Sequence, residues 1–269
     1  MATWNNKVVV VTGGSEGLGL AISTEFANAG ATVVLLARNE ARLKTVCESA
    51  QANGHKFHWF VGDVTDDESV LAGVAEIVNQ HGQIDVWVNN VGKSTRIKFE
   101  ECRVQDYQEL MELNFYSAVR CSHAATEHLA KTSGSVINIG SLAAKTGWPN
   151  VAPYTASKHA LAAFSHQFRL EGPANVNCLF VCTGPIQRPD SAVRYDGQAK
   201  GLSEAARKPG AGVKLKGILP EVLARKIVRS CERRKKELVM PWKARIVFTC
   251  LQFAPSLGDL LLKFATKKS

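Results

Sequence analysis

The 269-residue chain lacks several features that would have decided its class at once. Its opening residues, MATWNNK, hold no apolar h-region, and the first apolar run, Val8 to Val11, has the length of a core strand. Neither a signal peptide nor an N-terminal membrane anchor is expected. Seven cysteines form an odd set without a C-x-x-C pair, which removes a disulfide framework and a zinc pattern. No metal is expected, and the cysteines read as buried thiols in a reducing, cytoplasmic compartment. There is no internal repeat, no low-complexity tract and no recognised nucleic-acid module, so no nucleic-acid partner is expected. Acidic residues are scarce in one region only. Residues 1–199 hold 16 Lys/Arg and 19 Asp/Glu, whereas residues 200–269 hold 17 and 5, and this imbalance produces the net charge of +9. Such a bias is either a solvated face or an attraction to an anionic surface.

What is present suits one large α/β core, with 45% hydrophobic residues and no sign of a second domain. Short, β-branched runs lie at Val8 to Val11, Thr32 to Leu36, Phe57 to Val61, Ile84 to Val88, Ser135 to Ile139, Val176 to Val181 and Leu238 to Met240. Longer helix-like segments separate them, an alternation that predicts a doubly wound parallel sheet with ligands at the strands' carboxyl ends. Gly30, Gly54 and Gly82 each close a helical pattern, and Thr65 with Glu68 has the form of a capping box opening the third helix.

Two stretches carry chemistry. Thr12-Gly13-Gly14-Ser15-Glu16-Gly17-Leu18-Gly19 follows a strand-like run and precedes a helix, an order that points free backbone N–H groups and a positive dipole end at a pyrophosphate. In SLAAKTGWPNVAPYTASK, Tyr154 and Lys158 stand four apart, one above the other on a helix face. An ammonium beside a phenol favours phenolate, which suits proton transfer near neutrality. Ser141, where a strand leaves the sheet, can offer its hydroxyl to a substrate oxygen.

These motifs, with Asn89-Asn90-Val91-Gly92 and Asn114, resemble the short-chain dehydrogenase/reductase family in order and spacing over about residues 5 to 240. The resemblance implies an NAD(P)(H)-dependent oxidoreductase on a single Rossmann-like sheet of strand order 3-2-1-4-5-6-7, with helices on both faces and a C-terminal helical tail. It divides the chain into a catalytic domain at 1–240, with a substrate lid at 188–219, and a basic-apolar tail at 241–269. It also assigns roles. Tyr154 is the acid/base, Lys158 tunes it and holds the cofactor ribose, Ser141 bonds the reacting oxygen, and Asn114 relays protons through water. For Asn114 the plainer alternative is a buried polar side chain satisfied by backbone.

For the cofactor, the resemblance points to Gly13, Ser15, Gly17, Leu18 and Gly19 in the loop, Asp63 and Val64 at the adenine, Asn90 and Gly92 in the wall, and Gly184 and Ile186 after the sixth strand. At the end of the second strand Ala37 is followed by Arg38, and an arginine suits a 2′-phosphate, so NADP(H) is expected over NAD(H). Glu16 opposes that expectation, since a carboxylate beside a phosphate is repulsive. The family's Pro-Gly after the sixth strand reads Thr183-Gly184-Pro185 here, and Arg188 stands where a threonine often contacts the cofactor. The Ser141 to Lys158 stretch and the tail look most like the membrane-associated steroid, retinoid and keto-lipid reductases. A lipophilic alcohol or ketone is the expected substrate, and a homodimer or homotetramer the expected assembly. The alternatives are a soluble reductase of small carbonyls and a non-catalytic protein that senses the nucleotide. In the tail, Pro255, Gly258 and Asp259 divide two short helices, one over Lys243 to Phe253 and one capped by Ser256. Both are basic and amphipathic, and they can lie on an anionic membrane surface or cover the substrate cleft or a partner subunit.

Overall fold

In the computed structural model, residues 4–188, 202, 210, 216–254, 256, 258 and 260 are described. The β-branched runs form strands β1 (Val8–Thr12), β2 (Thr32–Ala37), β3 (Lys56–Val61), β4 (Val86–Asn89), β5 (Ser135–Ile139), β6 (Asn177–Thr183) and β7 (Glu237–Met240). They pair in the order β3-β2-β1-β4-β5-β6-β7, all parallel, as the motifs implied. Period-two alternation sorts each strand between two cores. Val9, Val11, Val33 and Leu35 face helices α1 (Gly17–Asn28), α2 (Glu40–Ala52) and α7 (Pro220–Glu232). Val8, Val10, Val34 and Leu36 face α3 (Asp67–His81) and α5 (Ser117–Thr132). Both faces are therefore covered, and β1, β4, β5 and β6 are buried along their whole length.

A third cluster lies at the β6–β7 side, where Leu142, Leu161, Phe180, Val239 and Phe248 pack together. Leu161 belongs to α6 (Ala152–Glu171), and Phe248 to α8 (Ala244–Phe253). The expected first tail helix is thus present, and its inner side is part of the core. Ser256 differs from expectation. It is already helical, because the Gly258 N–H donates to the Ala254 carbonyl at 2.9 Å and starts the turn before it. The remainder of that second helix, and most of the lid placed at 188–219, lie outside the described residues.

Two smaller expectations shift for physical reasons. The capping box at Thr65 does not form, because the Thr65 N–H and hydroxyl both donate to Asp63 Oδ1, at 2.9 and 2.7 Å. Asp66 is the N-cap instead, accepting from the Ser69 N–H at 2.6 Å. β4 begins at Val86, not Ile84, since the Asp85 side chain takes the Val8 N–H at 2.8 Å. The stretch through Asn114 is made of three pieces: α4 (Val104–Met111), a π turn at Glu112–Tyr116, and α5. Gly82 closes α3 as expected, in the left-handed conformation at φ 79°.

A buried polar network ties the sheet to the helices that carry the site. Trp87 Nε1 donates to Asn89 Oδ1 at 3.0 Å, and Asn89 Nδ2 donates to Asn138 Oδ1 at 2.8 Å and to Ser122 Oγ at 2.9 Å. Asn138 Nδ2 reaches Ser165 Oγ at 2.8 Å. β4, β5, α5 and α6 are thereby held in register by directional bonds that a purely apolar core would lack.

Candidate active site

The ends of β1 and β4 are locked before the glycine loop begins. Thr12 Oγ1 donates to the Val88 carbonyl at 3.1 Å and accepts from the Asn90 N–H at 3.0 Å. Asn90 Nδ2 donates in turn to the carbonyls of Thr12, at 3.0 Å, and Gly13, at 3.2 Å. The loop then turns so tightly that a Cβ on Gly19 would stand 2.2 Å from the Gly13 carbonyl oxygen. Only glycine fits there. Beyond it lies a cleft of about 610 Å³ at the carboxyl ends of the strands. Gly13, Ser15, Leu18, Gly19, Arg38, Asp63, Val64, Asn90 and Gly92, all expected from the sequence, line it. The glycine cradle, the helix N-terminus and the arginines around the cleft fit an anionic dinucleotide.

At the adenosine end the sequence weighed Arg38 against Glu16 and missed Arg42. Arg42, in the first turn of α2, pairs with the Glu16 carboxylate, and Arg38 lies 3.6 Å from Asp63. Burial alone would raise the Asp63 pKa. The two bonds from Thr65 and the charge of Arg38 outweigh it and hold the carboxyl below its usual value. Arg38 remains 76% exposed. The signal for Arg42 was its place four residues after Arg38, on the exposed side of a helix whose N-cap, Asn39, also lines the cleft.

The candidate catalytic residues come from three elements. Ser141 follows β5 and opens a short 3-10 turn; its Oγ accepts from the Ala143 N–H at 3.1 Å, which leaves its own O–H as a donor. Tyr154 and Lys158 stand on α6, which starts with Pro153 in its first turn. Lys158 Nζ lies 5.9 Å from the centre of the Tyr154 ring and donates to the Ile139 carbonyl at 2.8 Å. Only 5% of this lysine is exposed, and burial pulls its pKa down to about 8. Asn114, on the π turn, donates from Nδ2 to the Lys93 carbonyl and to Ser157 Oγ, both at 2.9 Å, and accepts from the Lys93 N–H at 2.9 Å. Ser157, which the sequence did not single out, donates onward to the Tyr154 carbonyl at 2.8 Å.

Gly92 joins the two regions. A Cβ there would stand 2.8 Å from Asn114 Oδ1 and 3.4 Å from Lys158 Nζ, so both side chains close on the wall of the cleft. Gly184 and Ile186 do not line the cleft. The Gly184 N–H donates to the Met240 carbonyl at 2.8 Å, and Ile186 bridges to Ile218.

A glycine-lined cleft at the carboxyl ends of a seven-stranded parallel sheet, with Lys158 against its wall, is the arrangement expected of a nicotinamide-dependent oxidoreductase. The family described as short chain dehydrogenase matches residues 7–198, and the chain belongs to it. Its enzymes are NAD(P)-dependent dehydrogenases acting on CH–OH groups. The chain is 30% identical over 272 residues to dehydrogenase/reductase SDR family member 7B of Xenopus laevis, covering 97% of this chain and 82% of that protein. It is 30% identical over 191 residues to the 3beta-hydroxysteroid dehydrogenase of Mediterraneibacter gnavus, covering 70% of this chain and 69% of that protein. Among solved structures, the alcohol dehydrogenase of the archaeon Thermococcus sibiricus, complexed with 5-hydroxy-NADP, shares the fold. The TM-score is 0.73 at 24% identity, covering 87% of this chain and 95% of that one.

Proposed function

We propose that the protein is an NADP(H)-dependent enzyme that interconverts a lipophilic ketone or aldehyde and its alcohol. The observation that carries the cofactor preference is the ion pair between Glu16 and Arg42 beside Arg38. With its charge balanced by Arg42, Glu16 no longer opposes a 2′-phosphate, and Arg38 offers that phosphate a planar, two-pronged donor. A charge-assisted contact of this kind contributes about 1.5 to 3 kcal/mol, or roughly 10- to 150-fold in affinity. Titration of wild type and Arg38→Asp with NADPH and NADH tests this. The expected result is tighter binding of NADPH by the wild type and loss of that preference in the variant. Equal affinities in the wild type, or an unchanged ratio in Arg38→Asp, would overturn it.

The bound cofactor supplies or accepts the hydride. In reduction, Tyr154 gives its proton to the carbonyl oxygen as the carbon receives the hydride; in oxidation, it takes that proton back from the alcohol. The Lys158 ammonium favours negative charge on the phenol oxygen and holds the ribose hydroxyls. Ser141 donates to the reacting oxygen. Asn114 connects Lys158 to solvent through water, and its bonds to Lys93 and Ser157 keep the π turn seated against α6.

The lipophilic substrate is supported by Trp242, just before α8, and by the outer side of that helix, where Ile246 and Phe253 project; the three are 65%, 57% and 87% exposed, next to Lys243 and Arg245. An apolar face with a basic rim suits peripheral contact with an anionic membrane, from which such a substrate would enter. No helix of the described residues is long and apolar enough to cross a membrane. Assembly as a homodimer or homotetramer would use the helices that carry Asn114 and Tyr154.

A further inference from the structure

The glycine loop has a second positive neighbour besides the N-terminus of α1. The Cβ that Gly17 lacks would stand 3.8 Å from Cζ and Nη1 of Arg188 and 4.0 Å from its Nη2. A guanidinium thus lies beside the first residue of the helix. Arg188 also lines the dinucleotide cleft, together with Gly13, Ser15 and Leu18 of the loop. Its backbone is placed by a short set of pairs that follows β6. The Ile218 N–H donates to the Pro185 carbonyl at 2.8 Å, and the Gln187 N–H to the Ile218 carbonyl at 2.9 Å.

The charges here are arranged for an anion. The first turn of α1 contains no acidic residue, and its N-cap, Glu16, makes no side-chain capping bond. The Glu16 carboxylate is instead held by Arg42. The Arg188 guanidinium stands beside the positive end of the helix dipole, and a negative group placed against both is attracted by each. Two-pronged guanidinium geometry suits adjacent phosphate oxygens. Glycine at position 17 keeps the approach open, since it brings no side chain into the gap and holds φ at +53°.

We propose that Arg188 binds the diphosphate bridge of the nicotinamide cofactor, acting with the N-terminus of α1. This assignment rests on the reading of the cleft as a dinucleotide site and is independent of the preference for NADP(H). It separates two tasks between two arginines. Arg38 recognises the 2′-phosphate, and Arg188 serves any cofactor that carries a diphosphate.

Isothermal titration of wild type, Arg188→Gln and Arg188→Lys with NADPH, NADH, ADP-ribose and adenosine 2′-monophosphate tests the assignment. Thermal melting of each variant confirms that it is folded. Arg188→Gln is expected to weaken NADPH, NADH and ADP-ribose by a common factor of roughly 10 to 150, and to leave adenosine 2′-monophosphate within about twofold. Arg188→Lys, which keeps the charge but not the fork, is expected to fall between the two. Arg38→Asp should show the opposite pattern, weakening NADPH and adenosine 2′-monophosphate alone. Unchanged affinity of Arg188→Gln for NADH and ADP-ribose would overturn the proposal, and so would a loss confined to the ligands with a 2′-phosphate. Equal wild-type affinities for NADH and NADPH would remove the NADP(H) preference while leaving the Arg188 result to be read from NADH and ADP-ribose.

Discussion

Lys158 carries an ammonium into a place almost without water, and that single fact has a measurable consequence. Burial lowers its folded pKa from 10.5 to about 8, whereas in the unfolded chain it keeps its ordinary value. Between these two values the unfolded state binds the extra proton, so this group makes stability rise with pH across that window. Below about pH 8 both states are protonated and the cost of the buried charge is constant. Urea unfolding of the apo-protein should therefore show wild type gaining roughly 2 kcal/mol relative to Lys158→Met between about pH 8 and about pH 9.5. A pH-independent difference between the two proteins would show that the lysine is not desolvated. Lys158 was legible in the sequence as a partner of Tyr154, because a four-residue spacing fixes a shared helix face. Arg42 was not, since its pairing with Glu16 joins residues 26 apart through the packing of α2 beside the loop. Arg38 and Glu16 could be weighed against each other only as isolated charges until that third residue was placed.

At the level of elements, the seven strands and the glycine turn were readable because each depends on local chemistry: β-branched runs, and a backbone path that only glycine permits. The π turn at Asn114 was not. Asparagine is a poor residue inside an α-helix, and the wider turn brings its amide onto Lys93 and Ser157, contacts between parts of the chain that no local pattern announces. The cap of α3 was missed by one residue, as Thr65 gives its hydroxyl to Asp63 and leaves Asp66 to accept from the helix. α8 shows a further limit of pattern reading. Its basic, amphipathic character was visible, but which side joins the core depended on Phe248 meeting Leu142, Leu161 and Phe180. Deleting the helix would expose that cluster, so the membrane reading is better tested by Ile246→Glu with Phe253→Glu on the outer side. Intact protein is expected to co-sediment with phosphatidylserine-containing vesicles at low salt, and the double variant to lose at least half of that binding. Wild type remaining in the supernatant would make the outer side of α8 a cover for the cleft or a contact with another subunit.

At the scale of the whole molecule, the doubly wound sheet sets Ser141 after β5, the glycine loop after β1 and the Asn90–Gly92 wall after β4, all at the same carboxyl edge. α5 and α6, fixed to β4 and β5 by the Asn89–Asn138 network, bring Asn114, Tyr154 and Lys158 to that edge. The order of motifs along the chain made this convergence readable, because a parallel sheet with right-handed crossovers leaves few other arrangements. The account turns on Tyr154 as the group that moves the proton, and removing its hydroxyl deletes that donor with little loss of packing. The most direct measurement is NADPH oxidation by wild type and Tyr154→Phe with a panel of steroid ketones, retinaldehyde, keto-sphingoid bases and small aldehydes, together with NADPH affinity for both proteins. The expected result is turnover of a lipophilic carbonyl by wild type, a loss of about 10²- to 10⁴-fold in kcat in the variant, and NADPH affinity within about twofold. A variant that keeps most of its kcat would contradict the assignment of Tyr154 as the acid.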